Sequence, residues 1–80
     1  MEYIDLTSAD IIGDGPEKTK FPNGTFLLFN LNVSEKTEAI KANDMLTFND
    51  SLYDVVEKSD PITDADLPHF QVKTLPVMDI

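Results

Sequence analysis

Nucleophilic or general acid–base catalysis in this chain would have to be built on His69, since it holds one histidine and no cysteine. His69 follows Pro68 at the start of an apolar stretch and belongs to no spaced motif, so it reads as a surface or edge histidine. Gly13-Asp14-Gly15-Pro16 has the first two glycines of a phosphate cradle but lacks the third, the lysine and a following helix. It is a turn. Asp60, Asp64 and Asp66 suggest a calcium loop, yet the central glycine and the closing glutamate are missing. Paired carboxylates for glycoside chemistry are available in any acid-rich chain. Here no tryptophan accompanies them, and the Phe/Tyr set is needed for a core. The residues therefore predict a protein that binds and does not catalyse, with no cofactor and no metal.

Charge is the most distinctive property of the sequence. Fifteen acids face six lysines, with no arginine, for a net charge of -9 over 80 residues. Without arginine the bidentate grip on phosphate is lost, so direct nucleic-acid binding is not expected, and an acidic membrane surface would repel the chain. The complementary partners are basic proteins or cations. Seven acids (Asp44, Asp50, Asp54, Glu57, Asp60, Asp64, Asp66) lie between positions 44 and 66 against Lys58 alone, and a second group is Asp10, Asp14 and Glu17. A solvated surface would place acids at turns too. It would also intersperse lysines among them, whereas a field of one sign steers a partner of the opposite sign. DNA carries one negative charge per about 1.7 Å of axis. Carboxylates two apart on a strand share a face at about 6.6 Å, so they can imitate a phosphate row.

The elements that must position these acids are mostly strands. Glu2 to Leu6 alternates, with Ile4 and Leu6 on one face. Phe21-Pro22-Asn23-Gly24-Thr25-Phe26 reads as a hairpin, with Asn-Gly supplying left-handed geometry. Thr25 to Val33 is the strongest strand, and Leu27, Phe29, Leu31 and Val33 share its inner face. Ser34 reads as an N-cap for one or two helical turns from Glu35 to Ala42, with a loop as the rival. Met45 to Phe48 and Leu52 to Lys58 form a second hairpin around Asn49-Asp50-Ser51, predicted to bring Phe48 near Tyr53 and Leu46 near Val55. A polar loop from Asp60 to Pro68, with a helical turn at Thr63 to Leu67, leads to a last strand, His69 to Leu75, with Phe70 and Val72 inward. The prediction is one mainly β domain over residues 1–80, with α+β as the variant. It consists of four to six short, mostly antiparallel strands in a curled sheet or partly open barrel, with at most one short helix.

In size, acidity, lack of cysteine and arginine, and strand-rich acidic pattern, the chain resembles the small DNA-mimic proteins of bacteriophages, among them an HU inhibitor of a lytic Bacillus phage. That resemblance implies a cytoplasmic role in an infected bacterium. There the acids named above would contact the basic arms and saddle of an HU dimer and displace DNA. Two rivals stand beside it. The stretch from Ala42 to Glu57 also looks like half of the small barrel modules of phage head–tail adaptors and decoration proteins, for which charge serves solubility. The third reading keeps the mimicry and directs it at another host nucleic-acid enzyme. The absence of an apolar run of about 18 residues leaves no membrane partner expected.

Overall fold

The computed structural model describes residues 3–64 and 66–77. Its six strands are β1 (Tyr3–Leu6), β2 (Glu17–Phe21), β3 (Gly24–Asn32), β4 (Met45–Phe48), β5 (Ser51–Lys58) and β6 (His69–Pro76). They form one sheet in the order β1-β4-β5-β6-β3-β2. Four of the pairings are antiparallel; β1 runs parallel to β4, with Ile4 opposite Leu46. The fold is mainly β, as the sequence predicts, and the sheet is curled without closing.

Aromatic contacts measure the curl. The Phe29 ring on β3 lies 5.9 Å from Phe48 on β4 and 5.1 Å from Tyr53 on β5, both edge-on. In a flat sheet β3 and β4 would stand three spacings, about 14 Å, apart. The concave face therefore meets itself, and it buries Phe29, Leu31, Leu46, Val55, Phe70 and Val72. The period of two selects them: Leu31 faces Phe70, Phe29 faces Val72 and Leu46 faces Tyr53 across neighbouring strands. After β1 the chain makes a 3-10 turn at Ser8–Asp10 and rejoins the sheet at the other side. There Ile11 bridges Leu31, and the Ile12 amide donates to the Asn30 carbonyl at 2.8 Å. Leu6 and Ile11 cover the core from this crossing.

Several local expectations change. Val33 lies beyond the end of β3 and is 39% exposed, so it does not join the inner face. Phe26, on the opposite face from Leu27 and Phe29, is nevertheless buried. It packs edge-on against Phe21 at 5.6 Å, and the Lys73 ammonium sits 4.0 Å from the Phe21 ring and 5.0 Å from that of Phe26. The convex face thus carries a small apolar cluster of its own under a lysine. In the first hairpin, Phe21 faces Gly24 across Pro22-Asn23, and Gly24, not Asn23, takes the positive φ.

The helix, α1, is a single turn, Glu35–Glu38. Ser34 caps it as predicted, its hydroxyl accepting from the Thr37 amide at 3.2 Å. It stops early because Lys58 reaches in from β5. The Lys58 ammonium donates to the carbonyls of Thr37 (2.6 Å), Glu38 (3.1 Å) and Ile40 (2.9 Å), groups that a longer helix would have bonded internally. The helical turn predicted at Thr63 to Leu67 is not formed by its described residues. Instead Ile62 bridges His69. Ala65, and Glu2 of the predicted first strand, lie outside the described residues.

Candidate functional site

The β4–β5 hairpin turns on Asn49 (φ 55°) and Asp50 (φ 66°), with Phe48 facing Ser51. Two successive positive φ values are what a two-residue type I′ hairpin requires. The register is therefore two residues tighter than predicted: Leu46 pairs with Tyr53, not Val55, and Phe48 pairs with Ser51, not Tyr53. The consequence for charge is direct. Asp50 stands exposed at the tip of the turn, and Ser51 belongs to the strand.

Two open clefts flank this tip. The first, about 520 Å³, lies between the hairpin and the Gly13–Pro16 loop, and is lined by Asp14, Glu17, Phe48, Asn49, Ser51 and Tyr53 among others. The loop lies close: a Cβ added to Gly15, whose φ is +148°, would meet the Phe48 ring at 3.5 Å. The second cleft, about 440 Å³, is lined by Tyr3, Asp5, Thr47, Asp50, Ser51 and Leu52. Parallel pairing sets Asp5 opposite Thr47, whose hydroxyl donates to the Asp5 carboxylate at 2.7 Å. Asp14, Glu17, Asp5 and Asp50 thus surround one hairpin tip, and no lysine lines either cleft.

The other predicted acids fall elsewhere. Asp10 is occupied by structure. It accepts the Thr7 amide at 2.9 Å, closing the 3-10 turn, and pairs with the Lys36 ammonium at 2.8 Å. The Lys36 hydrogen bond, then that from Thr7, holds its carboxyl below the usual carboxylate range. Asp44, half-buried, accepts the Lys41 amide at 2.9 Å and shapes the turn before β4. Asp54 and Glu57 both stand on the convex face of β5 because a bulge between Val55 and Glu57 inserts Val56. Glu57 lies 3.8 Å from the Lys73 ammonium, a long contact in which the glutamate itself stays largely exposed, so it holds little of that charge back from solvent. Asp60 lines a cleft of about 560 Å³ at the far end of β5, together with Glu38, Glu57, Lys41 and Lys58. Asp66 borders another, beside Ile12, Asn30 and His69. Asp64 is exposed. The eight residues of β5 at about 3.4 Å each put Asp60 roughly 27 Å from the tip. That is about three screening lengths at physiological salt, so the two ends of β5 act as separate fields.

The lysines sharpen the separation. Lys58 is committed to the carbonyls around α1 and to the Phe70 ring, 4.1 Å from its ammonium. Burial pushes its pKa down, against the pull of Glu38 and Asp44. Lys36 is paired, and Lys73 is folded over aromatic rings. Lys18 and Lys20 are exposed on β2. Asp5 is the residue that sequence reasoning missed. Alternation sets it on the face opposite Ile4 and Leu6, but only a parallel partner 42 positions away brings it to the tip.

Among the described residues no group of three or more His, Cys, Asp or Glu side chains is arranged to hold a metal ion. His69 donates its Nδ1 proton to the Leu67 carbonyl at 2.9 Å, its one side-chain hydrogen bond among the described residues. No family model, curated protein or solved structure matches the chain.

Proposed function

We propose that this chain is an acidic binding module that occupies the nucleic-acid surface of a basic protein and excludes DNA from it. A nucleoid protein of the HU type is the target suggested by the resemblance of the sequence to phage DNA mimics. The observation that carries the reading is the hairpin tip, where Asp5, Asp14, Glu17 and Asp50 converge on two clefts without a lysine. A basic groove built for phosphates meets there a fixed set of carboxylates on short side chains, three of them aspartates with little rotamer entropy to lose. The reading predicts competition with DNA for the basic protein, and a Kd that rises at least about tenfold between ~50 and ~200 mM salt. Titration of a purified HU-type dimer with the chain, with labelled duplex present, measures both. An affinity flat in salt, or binding that leaves the duplex in place, would sink the proposal.

A second reading draws on the convex face, where Tyr3 (56% exposed) and Leu75 (41%) lie in one cross-strand row with Met45 and Asp54. An assembly module of a virion would use such a row. It predicts self-association that persists at high salt, which sedimentation at graded salt separates from the first reading.

A further inference from the structure

We propose that the Asn23-Gly24 step is a site of spontaneous covalent modification, where Asn23 becomes aspartate or isoaspartate at a pace set by opening of the hairpin's last pair. The inference is independent of what the chain binds.

The chemistry needs a carboxamide free to turn, a following residue without a side chain, and a backbone nitrogen that can be released. The chain has five asparagines, and Asn23 alone precedes a glycine. Asn23 is exposed at the corner of the first hairpin. Its carboxamide enters no hydrogen bond among the described residues, whereas that of Asn32 donates to the Ala9 carbonyl at 2.9 Å. Beside it the approach is open. A Cβ built on Gly24 would meet nothing nearer than the Phe26 ring at 3.8 Å. The Gly24 nitrogen belongs to the last pair of the β2–β3 ladder, opposite Phe21. The end of a ladder frays first, and fraying frees that nitrogen.

The other asparagines are placed differently. Asn43 and Asn49 are exposed too, but each precedes an aspartate, whose side chain crowds the approach and whose charge opposes loss of the amide proton. The Asp44 amide is also held by the Lys41 carbonyl at 3.1 Å. Asn30 and Asn32 lie within β3, half-buried and paired with β6.

In the reaction the Gly24 nitrogen gives up its proton and bonds to the side-chain carbonyl carbon of Asn23. The bond from that carbon to the amide nitrogen breaks, and ammonia leaves with the proton. Water then opens the succinimide, its hydroxyl going to one carbonyl carbon and its proton to the nitrogen. Opening at the side-chain carbon gives aspartate. Opening at the backbone carbon gives isoaspartate, which runs the main chain through the side chain and lengthens it by one carbon. Either product adds a carboxylate to the hairpin that presents Lys18 and Lys20. The longer main chain no longer fits a two-residue turn between Phe21 and Gly24.

The test holds the full chain at mildly alkaline pH and physiological temperature and follows each asparagine by peptide mass spectrometry. Asn23 should lose its amide before any other asparagine, and an isoaspartyl methyltransferase should label the product but not freshly prepared Asn23→Asp. Asn23→Gln, whose ring would be one atom larger, should remove this earliest loss of ammonia. Lys73→Ala, which uncovers Phe21 and Phe26, should raise the rate by about threefold to tenfold through easier opening of the last pair. In NMR spectra of the aged protein, amides from Glu17 to Phe26 should shift while those of β4 and β5 stay in place. An Asn23 that outlasts Asn43 or Asn49, ammonia lost as early from Asn23→Gln, or a rate unchanged in Lys73→Ala would overturn the proposal.

Discussion

The two hairpins of this protein share a plan and differ in what they carry. Both are antiparallel pairs joined by two residues. The β2–β3 hairpin turns on Pro22-Asn23, with Gly24 at φ 140° taking the unusual backbone, and bears Lys18 and Lys20. The β4–β5 hairpin turns on Asn49-Asp50, both at positive φ, and presents a carboxylate at its tip. Asn-Gly is the favoured pair for such a turn, because a left-handed conformation costs an L-residue free energy that glycine does not pay. The second hairpin gives up that gain and keeps a charge. The first has glycine where the geometry is hardest and spends its outward residues on an aromatic cluster under Lys73. One is shaped by packing, the other by what it displays.

The largest test of this contrast compares two triple charge reversals of equal size. Asp14→Lys with Glu17→Lys and Asp50→Lys should weaken binding to a basic DNA-binding protein by at least about 100-fold. Asp60→Lys with Glu38→Lys and Glu57→Lys, which line the cleft at the far end of β5, should change it less than about threefold. Equal losses in parallel calorimetric titrations would show that net charge and not the hairpin tip decides. Next comes Lys73→Ala, which uncovers Phe21 and Phe26 and should destabilise the protein by about 1–2 kcal/mol in denaturant unfolding. Lys73→Met, keeping the stem, should recover part of that. If neither differs from the parent, the convex cluster does not hold the first hairpin. The smallest effect is the most specific. Asp50→Gly should stabilise the fold by about 0.5–1 kcal/mol by relieving the left-handed residue, while weakening partner binding. A variant that is both less stable and equally tight would remove the idea that stability is traded for charge at this turn.

How much of this was legible beforehand follows the range of the interactions involved. Apart from Val33 and the backbone of Asn23, the inward sets of β3 and β6, the Ser34 cap and the first hairpin are encoded within a few residues, by alternation and turn chemistry, and they are found where the sequence places them. Phe26 is buried on the other face because Phe26-Leu27-Leu28-Phe29 is apolar on both phases, a sign of burial on two faces that alternation alone does not weigh. The register of the second hairpin depended on whether Ser51 belongs to the turn, and the backbone of Asn49 and Asp50 decides that. The charge tally between positions 44 and 66 treated Asp44 and Asp60 as neighbours of Asp50, although one is spent on a turn and the other stands at the opposite end of a strand. Asp5 carries no local signal at all for its place beside Asp50, since parallel pairing with β4 is set by the global path of the chain.

The extra residue in β5 also bears on how this chain tolerates changes of length. Ahead of it Tyr53 and Val55 point inward; beyond it Lys58 faces Val72 while Glu57 faces outward-pointing Lys73. The strand thus changes from odd to even phase at Val56. A version of the protein one residue shorter at that point would pair regularly, with every flanking side chain still on its present side. An insertion or loss almost anywhere else in β5 would turn acids into the core and core residues into water. Val56 is the position where length can drift without inverting the sheet.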